Sequence, residues 1–105
     1  MYKHTIYLPK HDNDRSNKSY ILAENICGDL ADYLCTHFGG CTVTHGDGYY
    51  LMSSKVVVDN VWLIHVISSF SDIKPNIGFF IAQIKDALKQ ESVLITTEDI
   101  NAYFA

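Results

Sequence analysis

From Lys55 to Ser69 the chain reads KVVVDNVWLIHVISS, apolar or aromatic at nearly every position and interrupted chiefly by Asp59 and Asn60. Val56, Val57, Val58, Val61, Ile64, Val66 and Ile67 are branched at Cβ, which stiffens χ1 and suits a pleated surface better than a helix. The run predicts a central strand, with Asp59-Asn60 as a bulge or kink. Side chains alternate along a strand, so Val61, Leu63, His65 and Ile67 share one face, and Trp62, Ile64, Val66 and Ser68 the other. Both faces are largely apolar. Such a strand is covered on both sides, either by helices on both faces or by helices on one and a second subunit on the other.

The rest of the pattern falls into place around it. Tyr2 to Leu8 alternates as a first strand, which Pro9 closes because proline has no N–H for a ladder. Lys10 to Lys18, KHDNDRSNK, has no apolar residue and reads as a solvated loop with a tendency to disorder. Ser19 is placed to cap the next element. Between Tyr20 and Phe38, Ile26, Leu30, Tyr33, Leu34 and Phe38 recur at three- and four-residue spacings, and Gly39-Gly40 supplies a stop, which predicts an amphipathic helix. Cys41 to His45 alternates, Gly46-Asp47-Gly48 has the residues of a hairpin turn, and Tyr49 to Met52 resumes the strand character before Ser53-Ser54. After a polar connection, Ser69 to Asn76, in which Ser71 or Asn76 would cap, Ile77, Phe80, Ile81, Ile84 and Leu88 form a second helical stripe. Ser92 to Thr97 is a final β-branched strand. The order β-α-β-β-α-β predicts an α+β, ferredoxin-like fold: an antiparallel sheet with two helices on one face.

Composition narrows the function classes. A chain of 105 residues with 48% hydrophobic and 19% charged positions is expected to form one domain, 1-105, large enough for a core without metal or disulfides. The net charge of −4 provides no basic field for phosphates, so nucleic acid is not an expected partner. Three cysteines in no C-x-x-C pair fit a reduced compartment, and no stretch is long and apolar enough to span a bilayer, so a cytoplasmic address is expected.

The segments IYLPKHDND, FGGCTVTHGDGYY and VVVDNVWLIHVI, in that order, resemble small uncharacterised bacterial and phage proteins. Those share a strand, a polar loop, a helix ending in Gly-Gly, a glycine-aromatic segment and an apolar strand. The resemblance supports the fold and implies no chemistry.

Four constellations are candidates for function. Asp12-Asn13-Asp14-Arg15-Ser16 begins like a calcium loop, but Asn17 stands where glycine is needed and Ala23 where a bidentate glutamate is needed. A loop ordered by a partner is the better reading. His45 and Asp47 lie close on a glycine-rich stretch, where an imidazole and a carboxylate can act as general base or metal ligands, yet no nucleophile or third ligand is fixed. His65, alone among apolar neighbours, reads as a hydrogen-bonded core or interface histidine, with a His4–His65 pair possible only if the two strands align. Tyr7, Tyr49, Tyr50, Trp62 and Tyr103 offer an aromatic surface of the kind enriched in interfaces.

With no nucleotide loop, no metal set and no cofactor motif, a non-enzymatic protein-binding module is expected, homodimeric through its apolar sheet face. Occlusion of a host complex, as phage and mobile-element inhibitors achieve, is the corresponding class of action. Asp12, Asp14, Tyr49, Tyr50, Asp59, Trp62, Glu98 and Asp99 are the expected partner contacts. The alternative is a dimeric enzyme or small-ligand binder with a pocket between sheet and helices lined by His45, Tyr50, Trp62 and His65.

Overall fold

His4, Ile6 and Leu8 turn to one side of the first strand, β1 (Tyr2–Pro9), and are fully buried, as its alternation requires. The computed structural model describes residues Met1–Ala105 and continues with α1 (Asn17–Phe38), β2 (Thr42–Met52), β3 (Lys55–Ser68), α2 (Lys74–Ala87) and β4 (Ile95–Asp99). The strands form one antiparallel sheet in the order β2-β3-β1-β4. This is the predicted α+β, ferredoxin-like arrangement. Ile6, Leu8, Ile64 and Val66 of the sheet meet Ala23, Ile26, Leu30 and Leu34 of α1 and Ile77, Phe80 and Ile84 of α2 in one core. Each fully buried Leu or Ile there contributes about 1.5–3 kcal/mol.

Helix ends differ from expectation in instructive ways. Ser16, not Ser19, is the N-cap of α1, its Oγ accepting the Ser19 N–H at 3.2 Å. Ser19 is buried and its hydroxyl instead accepts the Asp12 N–H (2.9 Å) and donates to the Ser16 carbonyl (2.7 Å). Gly39, at φ 87°, closes α1 with its N–H on the Cys35 carbonyl at 3.0 Å, a left-handed residue where glycine has no Cβ penalty. Neither Ser71 nor Asn76 caps α2. Pro75 sits in its first turn, and the Asp72 carboxylate accepts the Lys74 N–H at 3.0 Å.

The β2–β3 hairpin runs without interruption from Thr42↔His65 to Met52↔Lys55. There is no turn at Gly46–Gly48 and no bulge at Asp59-Asn60. The reversal falls to Ser53 and Ser54, both left-handed at φ 49° and 65°, which matches the twist of the flanking strands. The glycines serve close approach instead. A Cβ on Gly46 would lie 3.0 Å from Leu63 Cδ1, and one on Gly48 would lie 2.6 Å from the Tyr50 hydroxyl, because the tyrosine folds back over the strand.

Of the Lys10–Lys18 stretch, Lys10 to Ser16 form a fastened turn, and Asn17 and Lys18 already belong to α1. β1 ends opposite Val61, and the edge of β3 that it vacates is taken by the Lys10 N–H on the Asn60 carbonyl (3.0 Å) and the Arg15 guanidinium on the Val58 carbonyl. Asp12, only 4% exposed, holds the turn from within: its carboxylate accepts the N–H groups of Asp14 (3.1 Å) and Ser16 (3.0 Å) and the Ser16 hydroxyl (2.8 Å). The Ser16 backbone bond is the main reason its carboxyl is held below the ordinary value.

Candidate functional site

The helices cover one side of the sheet and leave the other open. On the open side, β1 contributes Thr5 and Tyr7, β3 contributes Val61, Leu63 and His65, and β2 contributes Thr44, the glycines, Tyr50 and Met52. His65 stands at the centre with both ring nitrogens engaged, Nδ1 with Thr5 Oγ1 at 2.9 Å and Nε2 with Thr44 Oγ1 at 3.1 Å. A polar row thus crosses three strands and satisfies itself. Burial is the chief cause of the lowered His65 pKa, with Lys3 adding to it and Glu98 opposing.

Towards the hairpin end, the open face forms a cleft of about 580 Å³. Tyr50 and Met52 bound it on one side and Leu94 with the α2–β4 connection on the other, over Tyr7, Pro9 and Asp59. Beyond the cleft the hairpin projects as an arm. Neither of its faces is covered: Leu51 is 75% exposed and Val56 63%, and Tyr49, Met52 and Val57 are exposed with them. The molecule is accordingly elongated, 44 × 27 × 24 Å.

The candidate residues are dispersed by this geometry. His45 and Trp62 face the helix side, Tyr50 and His65 the open side, so the four line no common pocket. His45 accepts a bond from Lys10 Nζ at 2.7 Å, and the same ammonium lies 5.2 Å from the centre of the Trp62 ring. Asp47 shares that face but accepts from Asn60 Nδ2 at 2.8 Å, so His45 and Asp47 are not joined as a dyad. Trp62 is half-buried against the core and is unavailable to a sheet-on-sheet partner. His4 and His65 lie on opposite faces. His4 is buried among Thr97 Oγ1 (2.9 Å), Ser68 Oγ (3.0 Å) and the Phe70 carbonyl (2.9 Å), and burial lowers its pKa.

The acidic residues form no patch. Asp12 is buried and its oxygens are engaged within the turn, which removes it from the expected partner contacts. Asp14 forms an exposed pair with Lys89 at 3.4 Å. Asp59 lines the cleft, whereas Glu98 and Asp99 stand opposite Lys3 and Tyr2 in strand register, at the other end of the sheet. Tyr49 and Tyr103 are exposed, but Tyr103 belongs to the tail beyond β4. No group of three or more His, Cys, Asp or Glu side chains is placed to hold a metal ion, and the calcium-like carboxylate of Asp12 is filled by backbone donors. Sequence reasoning missed Thr5, Thr44 and Met52. Only strand register shows that Thr5 lies directly opposite His65 and Thr44 diagonally from it.

No family model and no curated protein matches the chain. Solved structures do. CutA of Archaeoglobus fulgidus, a periplasmic divalent cation tolerance protein, is 13% identical at a TM-score of 0.57, over 99% of this chain and 88% of that one. CutA of Pyrococcus horikoshii is 13% identical at 0.59, with the same coverage. A phage SAM lyase in complex with S-methyl-5'-thioadenosine is 16% identical at 0.58, over 93% of this chain and 80% of that one. At these identities the likeness is one of fold. No helix is long and apolar enough to cross a membrane.

Proposed function

We propose that this chain is a protein-interaction module that associates with a second copy of itself through the β2–β3 arm and the open sheet face. Exposed area carries the reading. The chain presents 6817 Å² at a mass of 11.9 kDa, whereas a compact monomer of that mass presents about 5,900 Å². The excess of roughly 900 Å² is about what one partner contributes to a standard interface. Part of it lies on the arm, where Tyr49, Leu51 and Val56 are bare on one face and Val57 on the other, and the exposed tail residues Tyr103 and Phe104 add to it. The Thr5–His65–Thr44 row suits the same end, since its polar atoms are already satisfied and a covering surface need supply no donors. Occlusion of a host complex, the action of phage inhibitors, would use this surface with a different protein upon it.

Light scattering after size exclusion tests the reading. The wild-type protein should run above 11.9 kDa, and Leu51→Lys with Val56→Lys should return it to the monomer mass with its circular dichroism unchanged. A wild-type monomer at the highest soluble concentration would overturn self-association.

A second reading rests on the cleft, where Tyr50, Met52 and Asp59 offer an aromatic ring, a thioether and a carboxylate to a small ligand. The phage SAM lyase of similar fold holds S-methyl-5'-thioadenosine, which makes that nucleoside the first probe. Calorimetric titration should give heat that Tyr50→Ala abolishes; absence of heat with the wild-type protein removes this reading.

A further inference from the structure

The α1–β2 corner brings two cysteines together. Ala31 and Cys35 lie one turn apart on the same face of α1, and helical side chains lean back over the preceding turn, so the Cys35 sulfur covers the region of Ala31. Cys41, brought round by the left-handed Gly39, places its own Sγ 3.9 Å from the Ala31 carbonyl. The two thiols are therefore neighbours at this corner. Their exposures differ: Cys35 is open to solvent and Cys41 is half-buried against the core. Burial, and then the neighbouring Cys35, push the Cys41 thiol up, which marks it as the partner that waits rather than attacks. Cys27 also rides on α1 but lies two turns from Cys35, about 12 Å along the axis.

We propose that Cys35 and Cys41 form a dithiol site that closes reversibly to a disulfide when the protein meets a low-molecular-weight disulfide such as oxidised glutathione. The Cys35 thiolate attacks one sulfur of the oxidant, whose disulfide breaks and releases one glutathione thiolate. Cys41, losing its proton to solvent, then attacks the Cys35 sulfur of the mixed disulfide and expels the second glutathione. The two cysteines are oxidised, and one oxidised glutathione becomes two reduced ones. Closure ties the last turn of α1 to the residue before β2 across Gly39-Gly40, fixing the corner from which the arm springs.

The test is to incubate the folded protein with oxidised glutathione, block free thiols with N-ethylmaleimide, and map peptides without reduction. Chymotrypsin cleaves after Phe38, between the two cysteines, and after Tyr33, so each linkage is distinguishable. The expected result is a Cys35–Cys41 peptide in most molecules, with Cys27 unlinked. Cys41→Ser should stop at the mixed stage and retain one glutathione on Cys35, while Cys27→Ser should leave the linkage intact. A linkage through Cys27, free thiols at both positions, or separate glutathiones on Cys35 and Cys41 in the wild-type protein would each overturn the proposal.

Discussion

The two halves of β3 have much the same composition and opposite surroundings. Val61 to Ser68 is roofed by α1 and α2, and Ile64 and Val66 are essentially inaccessible. Val56 and Val57, equally β-branched, stand exposed in the arm with no helix over them, and Val58 beside them is only half-buried. An apolar strand therefore states that burial is sought, but what provides it depends on how far the helices reach. Both helices spend their buried stripes on Ile6, Leu8, Ile64 and Val66, and no further helix is left for the arm.

Substitution should separate the halves sharply. Ile64→Ala leaves a cavity beneath both helices and should cost about 2–5 kcal/mol in urea denaturation. The arm should respond in the other direction to its turn: Ser53→Asn with Ser54→Gly relieves two left-handed residues and should raise stability by about 1 kcal/mol, read as a higher midpoint with unchanged m. If the gain is absent, the arm is loose enough not to feel its own turn.

Acidity sharpens the contrast further. The pKa of His4 is lowered by burial, so the unfolded chain binds that proton more readily than the folded one. Its contribution is fully present above the ordinary value of 6.5 and declines as pH falls through it. His65 acts in the same sense, from the open face. Thermal melts between pH 7.5 and 5.5, flanking that ordinary value, should show a fall in Tm that His4→Gln reduces and that His4→Gln with His65→Gln reduces again. Asp12 acts in a separate window. Its depressed carboxyl contributes stability above the ordinary 3.8, lost as pH falls through the lower folded value, so Asp12→Asn should flatten only the acid limb. The smallest effect belongs to Val56→Ala in the dissociated protein, within about 0.5 kcal/mol of wild type. A larger loss would mean that the bare arm is packed after all.

Much of the covered half is legible in the sequence, because it obeys simple periods. The stripe from Ile26 to Phe38 and the alternation of Tyr2 to Leu8 reveal both their elements and their buried faces, and the order β-α-β-β-α-β comes with them. The uncovered half misleads for a physical reason. Gly46-Asp47-Gly48 has the composition of a turn, and only the neighbouring Leu63 shows that the missing Cβ makes room instead. In the roofed half, Trp62 alone reads as an interface residue because aromatic side chains frequent interfaces, although its even position beside Ile64 and Val66 places it on the helix side. The stretch from Lys10 to Lys18 lacks apolar residues, so no hydrophobic pattern announces that Asp12 is its buried centre. What orders it is the empty edge of another strand, a tertiary fact.

That occupied edge has a consequence for association. Past Pro9, the Lys10 N–H and the Arg15 guanidinium bind the carbonyls of Asn60 and Val58 on one margin of β3, while the outer margin of β2 borders no strand along its whole length. In the proposed self-association, two copies meeting margin to margin at β2 would each use the same edge, an isologous pairing that closes on itself. The polar turn covers part of the opposite margin, so a long apolar ribbon offers less edge from which an open chain of copies could propagate.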